Sequence, residues 1–256
     1  MFESLIVFLK KIIILLKPRN LFLRTKLSDG TVLLGINKPG FGGRGLFLLG
    51  EKIEPELSNL NHFLMTGDVF IDVGANSGMY TLKAASLVKD SGLVLGIEPV
   101  TEVLFILEKS VRLNKFKNIR LRNICVGEKN SERTFWINHN QPNSSSISVK
   151  VGEAESTSVL TVTLDDLVKW ENLERVDYLK IDAEGAESEI LEGAKLVIER
   201  FRPIIQFEEI VNSVHYDFED YTVFKAENSF NVLLIPNESE KILVPEKLGW
   251  KKVKSY

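Results

Sequence analysis

The stretch Val69–Leu82, VFIDVGANSGMYTL, limits the fold more than any other part of the chain. An apolar run meets an acid and two glycines four positions apart, and helix-like spacing begins directly afterwards. A short apolar run that turns at glycine into an amphipathic helix is a βα junction. The pattern then recurs. Val69–Val73 reads as a buried strand, and Tyr80, Ala84, Leu87 and Val88 stripe a helix. Leu93–Ile97 is a second strand, closed by Glu98-Pro99; Leu104, Leu107 and Val111 mark a second helix, and Ile119–Ile124 a third strand. Residues 133–163 read as strands around the polar run HNQPNSSSIS. A helix at Leu164–Trp170 and a strand at Tyr178–Ile181 follow, then one helix striped by Ile190, Ala194, Val197 and Ile198, and a strand at Pro203–Phe207. The segment SFNVLLIPNESEKILVP reads as an antiparallel hairpin pair. Such alternation predicts an α/β, doubly wound, mostly parallel sheet with helices on both faces.

The residues before this region read differently. Leu5, Phe8, Leu9, Ile12, Ile13 and Leu16 fall on one helical stripe, with Lys10, Lys11, Lys17 and Arg19 supplying positive charge. The apolar run is shorter than the roughly 20 residues a membrane span needs. The cationic pair interrupts it rather than preceding it, against the order of a secretory signal. The stripe therefore packs on its own domain, joins a homodimer, or lies on an anionic membrane surface. LFLRTKLSDGTVLLGI has a hairpin-like turn, and the glycine-rich KPGFGGRGLFLLGEKIEPEL reads as a substrate-side loop or a connector. We therefore divide the chain into residues 1–57, an amphipathic helix and β-rich lead-in, and residues 58–256, the α/β domain. A formal net charge of −3 argues against nucleic acid as a partner, since a phosphate-binding surface needs cationic excess. The single cysteine, Cys125, rules out an internal disulfide and a thiolate zinc cluster, and suits a cytoplasmic setting.

In a doubly wound sheet, ligands bind beyond the carboxyl ends of the strands at the switch point. Gly74 permits the turn out of the first strand, and Gly78 would let the helix start approach a ligand. Its free N–H groups make a nucleotide-type cradle. Asn76 stands where a dinucleotide fold would have its second glycine, so a pyrophosphate is disfavoured. Glu98 ends the second strand and can accept both ribose hydroxyls of a nucleoside. Asp72 can meet an amine or cap the turn. A nucleoside held by acids without a pyrophosphate suggests S-adenosyl-L-methionine. In YLKIDAEGAESEIL, Asp182 ends a strand and Lys180 shares its face, so Lys180 should be buried and ion-paired with Asp182 or Glu208. Glu187 suits a helix start on electrostatic grounds alone. Three nearby carboxylates are weak support for a metal, and none is expected.

FIDVGANSGMYTL, IEPV, RLNKFKNIRLRNICVGE, SSS, TVTLDDL and LKIDAEGAESEILEGA together resemble the FkbM family of S-adenosylmethionine-dependent methyltransferases, over about residues 45 to 210. The resemblance implies a class I methyltransferase (Rossmann-like) fold with a seven-stranded sheet whose last strand is reversed. It implies methyl transfer to a hydroxyl on a sugar, glycan or secondary metabolite. Carried over by motif, Asp72, Gly74, Asn76, Gly78 and Glu98 would contact the cofactor. Ala75, Pro99 and Val126 complete the expected contacts, with Asp182 and Glu184 at the floor. The general base is expected among Asp182, Glu184, Glu208 and His215. His62 and His139 read as surface or packing residues, and Trp136 or Phe41 as an apolar wall or as core. Two other functions compete: an NAD-dependent oxidoreductase, disfavoured by Asn76, and a membrane-peripheral binding module with a degenerate fold, disfavoured by the intact acids Asp72, Glu98 and Asp182.

Overall fold

The computed structural model describes residues 2–19, 21–38, 43–138, 155–208, 218 and 220–253, with side chains from Ile6 onward. The chain opens with helix α1 (Phe2–Leu16) and the hairpin β1 (Phe22–Lys26) and β2 (Val32–Ile36). Helices α2 (Gly43–Leu49) and α3 (Pro55–Ser58) follow, joined by a 3-10 turn at Gly50–Ile53. Then come β3 (Val69–Val73), α4 (Met79–Val88), β4 (Leu93–Ile97), α5 (Thr101–Asn114), β5 (Ile119–Arg122), β6 (Cys125–Val126), β7 (Ser131–Ile137) and β8 (Glu155–Val162). The rest is α6 (Leu164–Trp170), β9 (Tyr178–Ile181), α7 (Glu187–Glu192), α8 (Lys195–Phe201), β10 (Ile204–Glu208), β11 (Tyr221–Lys225), β12 (Asn231–Pro236), α9 (Val244–Lys247) and β13 (Lys251–Val253).

The main sheet has the order β13-β11-β12-β10-β9-β3-β4-β5. The five strands from β10 to β5 are mutually parallel, and β12 is antiparallel to both β10 and β11. Its eight strands correct the expected seven: β13 adds an edge strand antiparallel to β11. Every residue of β3 is buried, as expected for a central parallel strand covered on both faces. Successive side chains alternate between the two layers. Ile71 and Val73 join a core with α6, α7 and α8, whereas Phe70 joins Tyr80, Leu82 and Tyr178 in the other. This second core also takes in Leu27, Leu33, Leu46 and Leu57, so β2, α2 and α3 are packed onto the α/β domain.

Four local expectations need correction. The lead-in is only half β, because residues 43–58 are mostly helical: Leu46 and Leu57 are fully buried and hold the short turns down. β7 and β8 do not enter the main sheet; with β6 they form a separate sheet of order β6-β8-β7. The single helix expected around Ile190–Ile198 is two, because the chain breaks at Gly193-Ala194. The C-terminal hairpin pairs β11 with β12, while the segment that contains Val244-Pro245 turns helical, with proline in the first turn.

Candidate active site

The chain runs outward from β3 to β4 and β5 on one side, and from β9 to β10 on the other. The switch point therefore lies between β3 and β9. An open cleft sits there, lined by residues that follow four parallel strands. Val73, Gly74 and Asn76 come from the end of β3, Ile97 to Val100 from β4, Ile124 to Val126 from β5 and β6, and Asp182 to Glu184 with Ala186 from β9.

Gly74 leaves β3 with φ +77, and its N–H donates to the Ile97 carbonyl at 3.0 Å. A Cβ at this position would lie 1.8 Å from the Asp182 carbonyl oxygen. The glycine thus brings the ends of β3 and β9 together as well as opening the turn. Asn76 is also left-handed, at φ 50, and its Oδ1 accepts from the Ser77 N–H at 2.7 Å. The Asn76 N–H donates to Glu98 Oε2 at 2.9 Å, and the Val100 N–H donates to Glu98 Oε1 at 2.8 Å. Glu98 is buried. Desolvation pushes its carboxyl up to about 7, with the Asp72 and Asp182 carboxylates acting the same way against the two N–H bonds. Each Glu98 oxygen accepts one backbone bond and has a second lone pair for a ligand hydroxyl.

Three expected cofactor contacts are displaced from the cleft lining. Asp72 is buried behind it, where Oδ2 accepts from Thr81 Oγ1 at 2.6 Å and Oδ1 lies 3.7 Å from Lys180 Nζ. Burial raises its pKa and Lys180 opposes the shift. Ala75 is buried in the α4-side core. Gly78, φ +88, faces α5: a Cβ there would meet the Leu107 side chain at 2.1 Å, so its smallness serves helix packing rather than ligand approach. Gly74, Asn76, Glu98, Pro99 and Val126 do line the cleft.

On the other wall, Asp182 also lines the cleft and is half-exposed. Lys180 lies behind it, 3% exposed, and donates to Asp182 Oδ2 at 3.1 Å. Its ammonium is 4.8 Å from the centre of the Tyr80 ring. Burial alone would depress this lysine, but Asp182 and Asp72 together outweigh it and raise its pKa. Tyr80 continues the polar set: its hydroxyl donates to Glu54 Oε2 at 2.6 Å and accepts from Gln206 Nε2 at 2.9 Å. Glu184, at φ 51, is exposed in the cleft lining, and its carboxyl is pushed up to about 7 by partial burial and then by Asp182, Glu208 and Glu187. Glu187 is buried and accepts from the N–H groups of Ala183 and Gly185, which makes it the clamp of this turn. Glu208 ends β10, half-buried, with its pKa raised by burial and by Asp182. His215, His139 and Phe41 lie outside the described residues.

The apolar wall consists of Val100, Val103, Cys125, Val126, Phe135 and Ile190. Trp136 is not in it, since its neighbour Phe135 points inward on β7. Burial pushes the Cys125 thiol up to about 12, so it packs as a small hydrophobe. The cleft thus presents the Glu98 carboxylate from β4 and the Asp182 carboxylate from β9 beside an apolar wall. An apolar wall suits a nucleobase, and carboxylates suit ribose hydroxyls and a cationic tail, the parts of S-adenosylmethionine. Among the described residues, no group of three His, Cys, Asp or Glu could hold a metal ion.

A family model for the methyltransferase FkbM domain matches residues 72–231. No curated protein sequence matches the chain. Among solved structures, a methyltransferase FkbM from Methylobacillus flagellatus KT is similar at 15% identity and TM-score 0.49, over 75% of this chain and 53% of that one. The present chain thus spans about half the length of that relative. A putative methyltransferase from Streptococcus mutans in complex with SAH aligns at 14% identity and TM-score 0.43, over 70% of this chain and 92% of that one. A putative rRNA-methylase from Clostridium thermocellum aligns at 11% identity and TM-score 0.44, over 78% and 94%.

Proposed function

Because the chain belongs to the family defined by the methyltransferase FkbM domain, whose cofactor is S-adenosylmethionine, we propose that it transfers a methyl group to a hydroxyl of a sugar, glycan or other small molecule. The observation that carries this reading is the cleft at the β3/β9 switch point, lined by Glu98 after β4 and by the Lys180-supported Asp182 after β9. The cofactor supplies a methyl already activated by a sulfonium. This chain's residues then have three tasks. Glu98 accepts the ribose hydroxyls while the Asn76 and Val100 N–H groups hold its carboxylate in place. The wall from Val103 to Phe135 excludes water from the base. Asp182 orients the acceptor hydroxyl and takes its proton at Oδ1, while Lys180 holds Oδ2. Alignment of acceptor and methyl accounts for about 7–11 kcal/mol of such a barrier, and a base adds about 10²–10⁴-fold.

The acceptor reading rests on acidity: the net charge of −3 gives no general attraction for nucleic acid. For residues 1–18 we favour contact with a membrane surface, on the cytoplasmic side, over a homodimer. Among the described residues, no helix is long and apolar enough to cross a membrane.

Calorimetry with S-adenosylmethionine and with NAD, followed by transfer of radiolabelled methyl to a glycan panel, tests the proposal. Binding of the first and labelling of a hydroxyl are expected; binding of NAD alone would overturn it. In single-turnover transfer, Asp182→Asn should lose about 10²-fold or more in rate while cofactor affinity stays nearly unchanged. A normal rate would move the base to Glu184, Glu208 or His215.

A further inference from the structure

Helix α1 packs on α2 through a narrow side, with Val7, Lys10 and Ile14 half-buried. The buried Asn37 anchors its end by donating to the Ile14 and Lys17 carbonyls at 2.8 and 2.9 Å. The opposite side is bare: Phe8, Leu9, Leu15 and Leu16 are exposed, the last two by 82% and 78%. At 100° per residue, Phe8, Leu15, Leu16, Leu9, Ile13 and Ile6 fill one arc of about half the helix circumference, with the half-buried Ile12 inside it. Lys10 and Lys17 stand at one margin of that arc, and Lys11 beyond the other. An apolar arc edged by lysines is the arrangement of a helix lying in a lipid–water interface, where the stems of the lysines reach up to the headgroups.

The surface does not stop at the helix. Leu21 and Phe22 follow directly and are exposed, and the outward residues of β1 are Phe22, Arg24 and Lys26. β2 is fixed to α5 by the Leu34 N–H on Ser110 Oγ and by Asn114 bonded to both polar groups of Val32. That attachment brings β1 beside the outer face of α5. Lys109 lies 4.4 Å from the centre of the Phe105 ring and 5.9 Å from that of Phe22, and Phe105 and Leu113 are themselves exposed. Residues 1–26 carry six Lys/Arg and only Glu3 as an acid, in a chain whose net charge is −3.

We propose that α1, the outer face of β1 and the Phe105–Leu113 face of α5 form one docking surface for an anionic lipid bilayer. This extends, and rests on, the membrane reading of residues 1–18. Charge decides against a second copy as the occupant. A two-fold dimer places the same patch on itself and would set these cations against one another, whereas anionic headgroups attract them. The acidic remainder of the molecule is repelled by such a surface, which fixes the orientation.

Co-sedimentation of the full chain with phosphatidylcholine vesicles, with and without phosphatidylserine, is the test. Binding should require phosphatidylserine and weaken in about 0.5 M salt, because the screening length shortens. Leu15→Ser with Leu16→Ser should weaken binding at least about tenfold, and Arg24→Glu with Lys109→Glu likewise. Circular dichroism and cofactor affinity should stay unchanged in both. If neither pair matters, or neutral vesicles bind equally, the membrane reading itself falls. If only the helix pair matters, that reading stands and the extension to β1 and α5 is overturned. A dimer that Leu15→Ser with Leu16→Ser dissociates, with no vesicle binding, would assign the face to a second copy and overturn both.

Discussion

At Gly74 one missing methyl group decides how two strands meet. A Cβ there would lie 1.8 Å from the Asp182 carbonyl, and φ is +77. Gly74→Ala should therefore lower stability by about 2–5 kcal/mol, the combined scale of overpacking and of a side chain in left-handed backbone. Thermal unfolding would show it even without ligand, so the substitution is not a clean probe of ligand approach. Glu98 gives a pH signature. Its carboxyl titrates at about 7, and hydroxyl donors and a cationic ligand favour the charged form. Cofactor affinity should therefore rise with pH, by about tenfold per unit below 7, and level off above it. Glu98→Gln should be weaker binding and flat across the same range. The stability sign is opposite: an acid raised by folding costs stability as pH climbs from its unfolded value, about 4.3, to about 7. Titration calorimetry between pH 5 and 8 reads the first effect and thermal unfolding the second. Asp182→Asn has a cost the sequence did not disclose. Lys180 would keep Asp72, at 3.7 Å, as its remaining carboxylate partner, so a stability loss of about 1–3 kcal/mol should accompany the loss of rate. Denaturant titration separates the two.

At the scale of elements, the break between α7 and α8 shows packing overruling propensity. Gly193 has helix-compatible backbone, φ −78, yet a Cβ there would lie 2.1 Å from the Gly127 carbonyl oxygen. Alanine is the better helix former by about 1 kcal/mol. Even so, Gly193→Ala should destabilise by about 1–3 kcal/mol in denaturant, the range for an overpacked site. A stabilised variant would mean that the loop at Gly127 yields. The same distinction explains what could be read in advance. β3, α4, β4, α5, α6 and β9 follow from apolar period and glycine turns, because each carries its own pattern. Glu98, Asn76 and Asp182 were legible as cleft-lining residues because they sit just past strand ends. The helical character of residues 43–58, the separate sheet of β6, β7 and β8, and the helix break depend on distant partners such as Gly127 and Tyr80. The cleft residues Val100, Val103, Phe135 and Ile190 look like any core residue in sequence. Only strand parity hinted that Phe135 rather than Trp136 faces inward. Asp72 and Gly78 pack behind the cleft rather than in its lining, a distinction hidden in the sequence because a cradle and a packed core use the same residue types.

For the whole molecule, the order of strands matters more than any one contact. β12 is made after β11 but lies between β11 and β10. Until residue 231 is in place, β10 has no neighbour on that side, and its Ile204 to Phe207 are all buried in the finished fold. An unpaired apolar edge recruits strands from other chains. A chain cut after Lys225 should therefore aggregate rather than form a smaller soluble domain, as light scattering would show, although the cleft residues described are all present in it. During synthesis the same geometry means that every residue lining the cleft leaves the ribosome before the sheet can close. The half of the chain that lines the cleft waits, exposed, for a strand that adds nothing to that lining, and that interval is when a chaperone would find it.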